Sequence, residues 1–184
     1  MVSSSVHPEP MRLSLTTARL VLDEPGEDDL PGMLAVALSN PEFLATHEGS
    51  AGEAGRYDID MLGRDLAVAA SDPQRHPVVI RRREDGGVVG RAETLDLHPR
   101  DEVPWIGLLE LRAEAQGQGL GREAAQALAD WYRAQGQTRL RLGVDDGNDR
   151  AAAFWRALGY EQVDRRERDS PLGRLGVDVL EIAL

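Results

Sequence analysis

Seven residues, QGQGLGR at positions 116–122, form the most informative stretch of the sequence. They lie between a predicted strand at residues 105–111 and a predicted helix whose apolar positions run from Ala124 to Tyr132. Glycine at alternate positions lets the backbone adopt positive φ and approach a ligand closely. The amides at a helix start have no helical acceptor and sit at the positive end of the helix dipole. The stretch therefore predicts an anion-binding turn, to which Arg122 adds a cationic side chain.

Two nucleotide-binding motifs fit this turn poorly. A GxGxxG fingerprint that starts at Gly117 needs glycine at position 122, where the chain has Arg122, and no GxxxxGK[ST] string occurs. On this segment alone, a second interpretation stays open, in which the glycines serve only a tight strand-to-helix turn.

The segments around the turn alternate between strands and helices. Downstream, the central helix ends near Gly136, and then a strand, a helix closed by Gly159 and two strands are predicted at 139–144, 151–158, 160–163 and 177–184. Upstream, residues 76–83 and 88–97 favour two strands joined by a hairpin turn at 85–87.

The first part of the chain predicts a strand within residues 13–23 and a helix that begins near the acids 27–29 and stops before Pro41. Apolar positions from Ile59 to Ala70 predict another helix, preceded by a loop that contains Gly49, Gly52 and Gly55. The whole order indicates a mixed α and β fold around one sheet.

The composition indicates one domain. A chain of 184 residues with 41% hydrophobic content can bury one good core, so we expect a disordered tail at 1–10 and a single domain at 11–184. Lys and Arg number 21 against 32 Asp and Glu, and the resulting net charge of −11 repels a phosphate backbone. Nucleic acid is therefore not an expected partner.

The chain has no cysteine, which excludes disulfides, thiolate metal sites and a cysteine nucleophile, and which fits a reducing cytoplasm. Its first ten residues lack the pattern of a signal peptide, and charged residues interrupt every candidate for a membrane span. We expect a soluble cytoplasmic protein without a membrane partner or a bound metal.

Two spaced patterns occur in order between residues 105 and 160. The first, Q/R-x-x-G-x-G/A, matches Gln116, Gly119 and Gly121. The second, N-x-x-A-x-x-F-Y-x-x-x-G-F, resembles the chain at Asn148, Ala151, Phe154, Trp155, Gly159 and Tyr160. Through these patterns the chain resembles the Gcn5-related N-acetyltransferase (GNAT) family.

The resemblance implies an α/β fold with a mixed, mostly antiparallel sheet of about seven strands, flanked by about four helices. It also implies binding of acetyl-CoA and transfer of the acetyl group to an amine substrate by direct attack. The residues implied to bind the cofactor are Leu109, Glu110, Leu111, Gln116, Gly117, Gln118, Gly119, Leu120, Gly121, Arg122, Asn148 and Phe154. Leu109 and Leu111 correspond to the hydrophobic pair at the end of the strand that binds the pantetheine arm.

Two of these residues also have a local interpretation. Asn148 is well suited to be a helix N-cap, because its side chain can accept from a free amide. Phe154 and Trp155 occur at helical spacing, where aromatic residues more often belong to the core.

The chain departs from the family pattern at three catalytic positions. The family often has a carboxylate base at the positions of Trp105 and Gly143, and its usual general acid, a tyrosine, corresponds to Trp155. Neither tryptophan nor glycine can exchange a proton at ordinary pH. We therefore predict Glu110 as the replacement base, because burial in an otherwise apolar strand raises a carboxyl pKa. Other candidates for the base are Asp145, Asp96, His98 and Glu93.

The oxyanion donor in this scheme is a backbone amide of the strand, at Glu110 or Leu111. The main functional alternative is a non-catalytic acyl-CoA sensor or regulatory protein, which the three departures motivate. A nucleotide-binding protein that uses the same turn is the third alternative. The identity of the acceptor amine and the oligomeric state, including a homodimer, stay open.

Overall fold

A computed structural model describes residues 12–47, 56–170 and 173–184. The predicted tail at 1–10 and the predicted loop with Gly49, Gly52 and Gly55 lie outside the described residues. Within them the chain forms eight strands and five α-helices: β1 (Ser14–Thr16), β2 (Leu20–Asp23), α1 (Leu30–Leu38), α2 (Pro41–His47), α3 (Ile59–Ala70), β3 (Arg75–Arg82), β4 (Val88–Leu95), β5 (Trp105–Leu111), α4 (Leu120–Ala134), β6 (Arg139–Asp145), α5 (Asp149–Arg156), β7 (Glu161–Ser170) and β8 (Gly173–Ala183).

All eight strands belong to one sheet in the order β1-β2-β3-β4-β5-β6-β8-β7. Every neighbouring pair is antiparallel except β5 with β6, which is parallel. The predicted mixed, mostly antiparallel sheet is therefore confirmed, with one more strand and one more helix than expected.

The additional helix begins at Pro41. The prediction that α1 stops before this proline is confirmed, because α1 ends at Leu38 and Ser39 caps it. Proline fits the first turn of a new helix, where its missing N–H has no helical acceptor to lose. The chain therefore turns at Asn40 and continues as α2, although the sequence pattern predicts only an end.

The strand prediction is least accurate at both edges of the sheet. The single strand expected within residues 13–23 is a hairpin of β1 and β2, in which Leu15 pairs with Leu22. The tail strands are longer than predicted, and β7 extends to Ser170. Its residues EQVDRRERDS carry little apolar pattern, and cross-strand charge pairs such as Arg165–Asp178 hold it against β8.

Helices cover the two faces of the sheet. On one face, α4 and α5 pack on the main core, which contains Ile80, Leu128 and Leu142. On the other face, α1 and α3 cover β3 and β4 through a smaller core around Met33 and Val79.

A β-bulge at Gly107 changes which side chains of β5 face each helix layer. Ile106 pairs with Thr94 and Leu108 pairs with Glu93, so Gly107 is the extra residue. Ile106 and Leu111 both belong to the main core, although one number is even and the other odd. The bulge therefore turns Glu110 toward the face that carries α1 and α3.

Candidate active site

A cleft of about 850 Å³ opens where β5 and β6 diverge. These strands pair only at Trp105–Arg141 and Ile106–Leu142, so beyond those residues their facing edges separate. The cleft is bounded by the end of α1 and by α2 on one side and by the first turns of α4 and α5 on the other. Ten of the predicted cofactor residues line it: Leu109, Glu110, Leu111, Gln116, Gly117, Gly119, Gly121, Arg122, Asn148 and Phe154.

The loop before α4 presents a row of backbone donors. Gly117 and Gly119 have φ values of 75° and 79°, in the left-handed region that glycine adopts without strain. The first helical hydrogen bond of α4 runs from the Glu123 amide to the Gly119 carbonyl at 3.1 Å. None of the amides at 117–122 donates to another residue that the structure describes. The loop thus has the free donors and the helix dipole that an anion site needs.

The inner edge of β5 presents two further amides to the cleft. The Arg112 amide donates to the Val89 carbonyl at 2.9 Å, so Arg112 faces β4. The direction of the backbone N–H and C=O groups alternates along a strand. Those of Glu110 therefore also point to β4, and those of Leu109 and Leu111 point to the cleft. Of the two predicted oxyanion donors, the geometry therefore favours the amide of Leu111, and it adds the amide of Leu109.

The Gln116 side chain is used inside the protein. Its Nε2 donates to Asn40 Oδ1 at 2.8 Å and to the Leu111 carbonyl at 2.9 Å. Asn40 Nδ2 donates to the same carbonyl at 2.9 Å. This network joins the end of α1, the end of β5 and the loop at residues 116–122, the predicted phosphate loop. Sequence reasoning missed Asn40, because no local pattern signals a contact with a residue 71 positions away.

Two predicted residues do not line the cleft with their side chains. Gln118 Nε2 donates back to the Glu114 carbonyl at 2.8 Å. Leu120 is 4% exposed and belongs to the main core. Only the backbone amides of these two residues belong to the donor row of the loop.

Two arginines line the cleft beside the first turns of α4 and α5. Arg122 lines the cleft and donates through Nη2 to the Ala157 carbonyl at 3.3 Å. Arg150, which the sequence analysis did not single out, lines the cleft from the first turn of α5. Both lie beside helix N-termini, where anions are favoured.

Asn148 is the N-cap of α5, as its local interpretation predicts. Its Oδ1 accepts from the Ala151 amide at 3.1 Å. The residue also lines the cleft, so the cap and a contact with a ligand are compatible.

Aromatic residues of α5 form part of the cleft wall. Phe154 and Trp155 both line the cleft and meet edge to face, with ring centroids 4.9 Å apart. Trp155 is 6% exposed and contacts Tyr160, with ring centroids 5.1 Å apart. Burial raises the pKa of the Tyr160 hydroxyl above its ordinary value.

Glu110 is a buried carboxylate at the edge of the cleft. Its Oε2 accepts from Arg91 Nε at 2.6 Å, and 5% of each side chain is exposed. Burial raises the pKa of Glu110, and the charge of Arg91 and the nearby Asn40 amide offset this rise only in part. A carboxyl with a raised pKa at this position has the property that a general base needs.

The positions of the usual family bases are filled by packing. Trp105 is 8% exposed and stacks on His98, with ring centroids 4.4 Å apart. A Cβ atom added to Gly143 would meet Val177 Cγ1 at 2.9 Å and Trp105 at 3.6 Å. Gly143 is therefore too crowded to accept a carboxylate side chain without movement of Val177.

Of the other candidate bases, Asp145 lines the cleft, whereas Asp96, His98 and Glu93 do not. The Asp145 carboxylate is in an ion pair with Arg168, whose Nη2 also donates to the Thr46 carbonyl at 3.2 Å. This contact joins β7 to α2 across one end of the cleft.

Among the described residues, no helix combines the length and the apolar character needed to cross a membrane. The same parts of the chain contain no group of three or more His, Asp or Glu residues that could hold a metal ion.

Comparisons with known proteins agree on one family of acetyltransferases. The sequence model of the family described as "Acetyltransferase (GNAT) family" matches residues 36–160. The chain is 28% identical over 143 residues to the L-methionine sulfoximine/L-methionine sulfone acetyltransferase of Pseudomonas paraeruginosa. That alignment covers 74% of this chain and 77% of the relative.

Solved structures share the fold over nearly the whole chain. An acetyltransferase from Thermus thermophilus has a TM-score of 0.69 and 24% identity, and the match covers 94% of this chain and 100% of that one. Spermidine N-acetyltransferase from Vibrio cholerae, solved in complex with CoA and spermine, has a TM-score of 0.71 and 16% identity. That match covers 91% of this chain and 96% of the other.

Proposed function

This chain belongs to the GNAT acetyltransferase family, and on that premise we propose that it transfers the acetyl group of acetyl-CoA to a primary amine of a small molecule or peptide. The observation that carries the proposal is the row of free amides at 117–122, which opens into the cleft between β5 and β6. Direct attack in a ternary complex is the proposed route, because the cleft has two separate sides.

The phosphate side of the cleft suits coenzyme A. The amides of the loop and the N-terminus of α4 are donors for a diphosphate, and Arg122 and Arg150 add charge. The free inner edge of β5, with the amides of Leu109 and Leu111, is suited to hydrogen bonds with an extended amide-containing arm.

The acceptor side of the cleft supplies the groups for acyl transfer. The Leu111 amide is the proposed donor to the oxyanion that develops on the thioester carbonyl. Glu110 is the proposed base: it takes the proton of the attacking ammonium, directly or through water, so that a neutral amine forms the new C–N bond. Attack leaves the new C–N nitrogen with one excess proton, and the departing thiolate of coenzyme A takes up this proton through water, so the proposed route needs no acid at the position of Trp155.

The relatives guide the choice of acceptor. The Pseudomonas relative is named for two amino-acid derivatives, and the Vibrio structure contains a polyamine. We therefore propose a panel of L-methionine sulfone, L-methionine sulfoximine, other free amino acids, spermine, an aminoglycoside and peptide N-termini.

The test is release of free thiol from acetyl-CoA with each amine, together with calorimetric binding of coenzyme A. Acetyl transfer predicts that at least one amine accelerates thiol release and yields an N-acetyl product by mass spectrometry. Coenzyme A binding without acceleration by any amine in the panel would instead favour the acyl-CoA sensor. Protection against melting by ATP or NAD, but not by coenzyme A, would contradict both.

A further inference from the structure

We propose that Arg19 is a positioning residue for the phosphate loop, which holds the Gln118–Gly119 peptide so that the Gly119 amide is directed toward the cleft. Arg19 lies on the β1–β2 turn, outside the residues 36–160 that match the family. The inference rests on the proposed binding of acetyl-CoA, and it adds a residue that neither family motif contains.

Arg19 is hydrogen-bonded both to the phosphate loop and to α4, the helix that follows it. Its Nη1 donates to the Gln118 carbonyl at 2.9 Å, and its Nε donates to Glu123 Oε2 at 2.7 Å. Glu123 Oε1 accepts from the Arg19 amide at 2.7 Å and from Thr17 Oγ1 at 2.6 Å. Glu123 is also the residue whose amide makes the first helical bond of α4. The guanidinium is therefore anchored to the helix whose N-terminus carries the loop.

Because the peptide group is planar, the contact between Arg19 and the Gln118 carbonyl also fixes the direction of the Gly119 N–H. In a trans peptide, the carbonyl and the following N–H point in opposite directions. The Gln118 carbonyl points to Arg19, which is not part of the cleft lining, so the Gly119 N–H points away from Arg19. Gly119 itself lines the cleft. The Arg19 contact thus directs one donor toward the site where the diphosphate is proposed to bind.

The glycines make such a restraint necessary. The Gln118–Gly119 peptide rotates through ψ of Gln118 and φ of Gly119, and glycine occupies positive and negative φ with similar ease, so Gly119 permits this rotation. Rotation would replace an amide donor by a carbonyl, which repels phosphate. The hydrogen bond from Arg19 opposes this rotation before the ligand arrives, and such preorganisation strengthens binding.

The decisive variant is Arg19→Met, and Arg83→Met is its matched control. Arg83 lies beside the same turn and donates through Nη1 to the carbonyls of Thr17 and Ala18 at 2.9 and 3.2 Å, but within the described part of the chain it has no hydrogen bond to the phosphate loop. Both changes remove one positive charge. We expect Arg19→Met to weaken coenzyme A binding and raise the KM for acetyl-CoA about tenfold, with kcat unchanged. Arg83→Met should match the wild type in both quantities.

Two further measurements separate orientation from charge. In Arg19→Lys the charge remains, but an ammonium cannot reproduce the fork that reaches Glu123 and Gln118 together, so its affinity should lie near that of Arg19→Met. Raised salt screens a through-space charge effect. The affinity difference between wild type and Arg19→Met should therefore persist at high ionic strength.

Hydrogen exchange tests the same idea in the absence of ligand. The Glu123 amide, which donates to the Gly119 carbonyl at 3.1 Å, should therefore exchange faster in Arg19→Met than in Arg83→Met. Equal exchange in the two variants, full restoration by lysine, or an affinity difference that salt abolishes would each overturn the proposal. Failure of the wild-type protein to take up coenzyme A would instead defeat the proposed function, and the exchange comparison would still decide the role of Arg19.

Discussion

Arg91 Nε lies 2.6 Å from Glu110 Oε2, and each of the two side chains is only 5% exposed. The pair sits on adjacent strands, β4 and β5, in direct register. Removal of one partner from an ion pair this buried destabilises the fold, because the charge that remains is held away from solvent. Its position beside the cleft makes it the first target for mutation.

Glu110→Gln should reduce kcat about a hundredfold while the affinity for coenzyme A stays within a factor of about two, since removal of a general base affects proton transfer. A base acts when it is deprotonated, so activity should rise with pH through the raised pKa of Glu110, and this limb should vanish in Glu110→Gln. Pre-steady-state and pH-profile kinetics measure both effects. Glu84→Gln, in the exposed β3–β4 hairpin, is the control. An unchanged profile in Glu110→Gln would remove the residue from this role.

Gly119→Ala should weaken coenzyme A binding about tenfold. A side chain at φ 79° is strained by about 1–2 kcal/mol, and its Cβ would also lie 3.4 Å from Arg19 Nη2. Gly86→Ala is the matched control, because Gly86 has φ 71° in a hairpin with open space around it. Both variants should lose similar stability in urea unfolding, but only Gly119→Ala should lose affinity. Equal affinities would contradict the role of the loop.

Asn148→Ala should cost about 1 kcal/mol of stability through loss of the α5 cap. Asp58→Ala removes the corresponding cap of α3, where Asp58 Oδ1 accepts from the Met61 amide at 2.8 Å. The two variants should therefore unfold at similar urea concentrations. If Asn148 also contacts the ligand, only Asn148→Ala should raise the KM for acetyl-CoA. A KM equal to that of Asp58→Ala would leave Asn148 with the capping role alone.

Asn40→Ala and Gln116→Ala should be non-additive, because both side chains donate to the Leu111 carbonyl and are hydrogen-bonded to each other. Each single change should cost roughly 1–2 kcal/mol. The double variant should differ from the sum by at least about 0.5 kcal/mol, which a double-mutant cycle in urea measures. Gln126→Ala, at an exposed position of α4, should combine additively with Asn40→Ala.

Asp101 should make the protein sensitive to acid. Its side chain is 4% exposed and accepts from Arg166 at 2.9 and 2.5 Å. Burial acts to raise the pKa of Asp101, but the hydrogen bonds and charge of Arg166, with His98 and Arg141, lower it below its ordinary value. Because its pKa is lower in the folded state, ionised Asp101 stabilises the fold fully at pH values above the ordinary carboxyl pKa. This stabilisation is lost as the pH falls through the lowered pKa of Asp101.

Thermal unfolding from acid to neutral pH measures this effect. Asp101→Asn should lose on the order of 2 kcal/mol at neutral pH and should show a flatter decline of Tm in acid. Glu84→Gln is the control, since Glu84 lies on the exposed β3–β4 hairpin. A wild-type acid slope retained in Asp101→Asn would assign the sensitivity to other carboxylates.

The part of the site that could be predicted from sequence is the part encoded by consecutive residues. The phosphate loop and the cap at Asn148 depend on local backbone geometry, which the order of glycines and polar residues specifies. The strand–turn–helix order from Trp105 to Ala134 is predictable for the same reason and is confirmed.

The unpredicted part depends on contacts between distant segments. Asn40 reaches Leu111, and Arg19 reaches Gln118 and Glu123, across 71 to 104 positions of sequence. No alternation pattern reveals the extra residue at Gly107, yet that residue determines which face of the sheet carries Glu110. Similarly, β7 is held by charge pairs that a hydrophobic pattern does not register.

The short pairing between β5 and β6 divides the sheet into two plates, one of five strands (β1–β5) and one of three (β6–β8). We expect a molecule bound in the gap to contact both plates and to form hydrogen bonds with strand edges that do not pair with each other. Occupancy should therefore stiffen the domain mechanically, and a bound domain pulled apart across the plates should rupture at a higher force than an empty one.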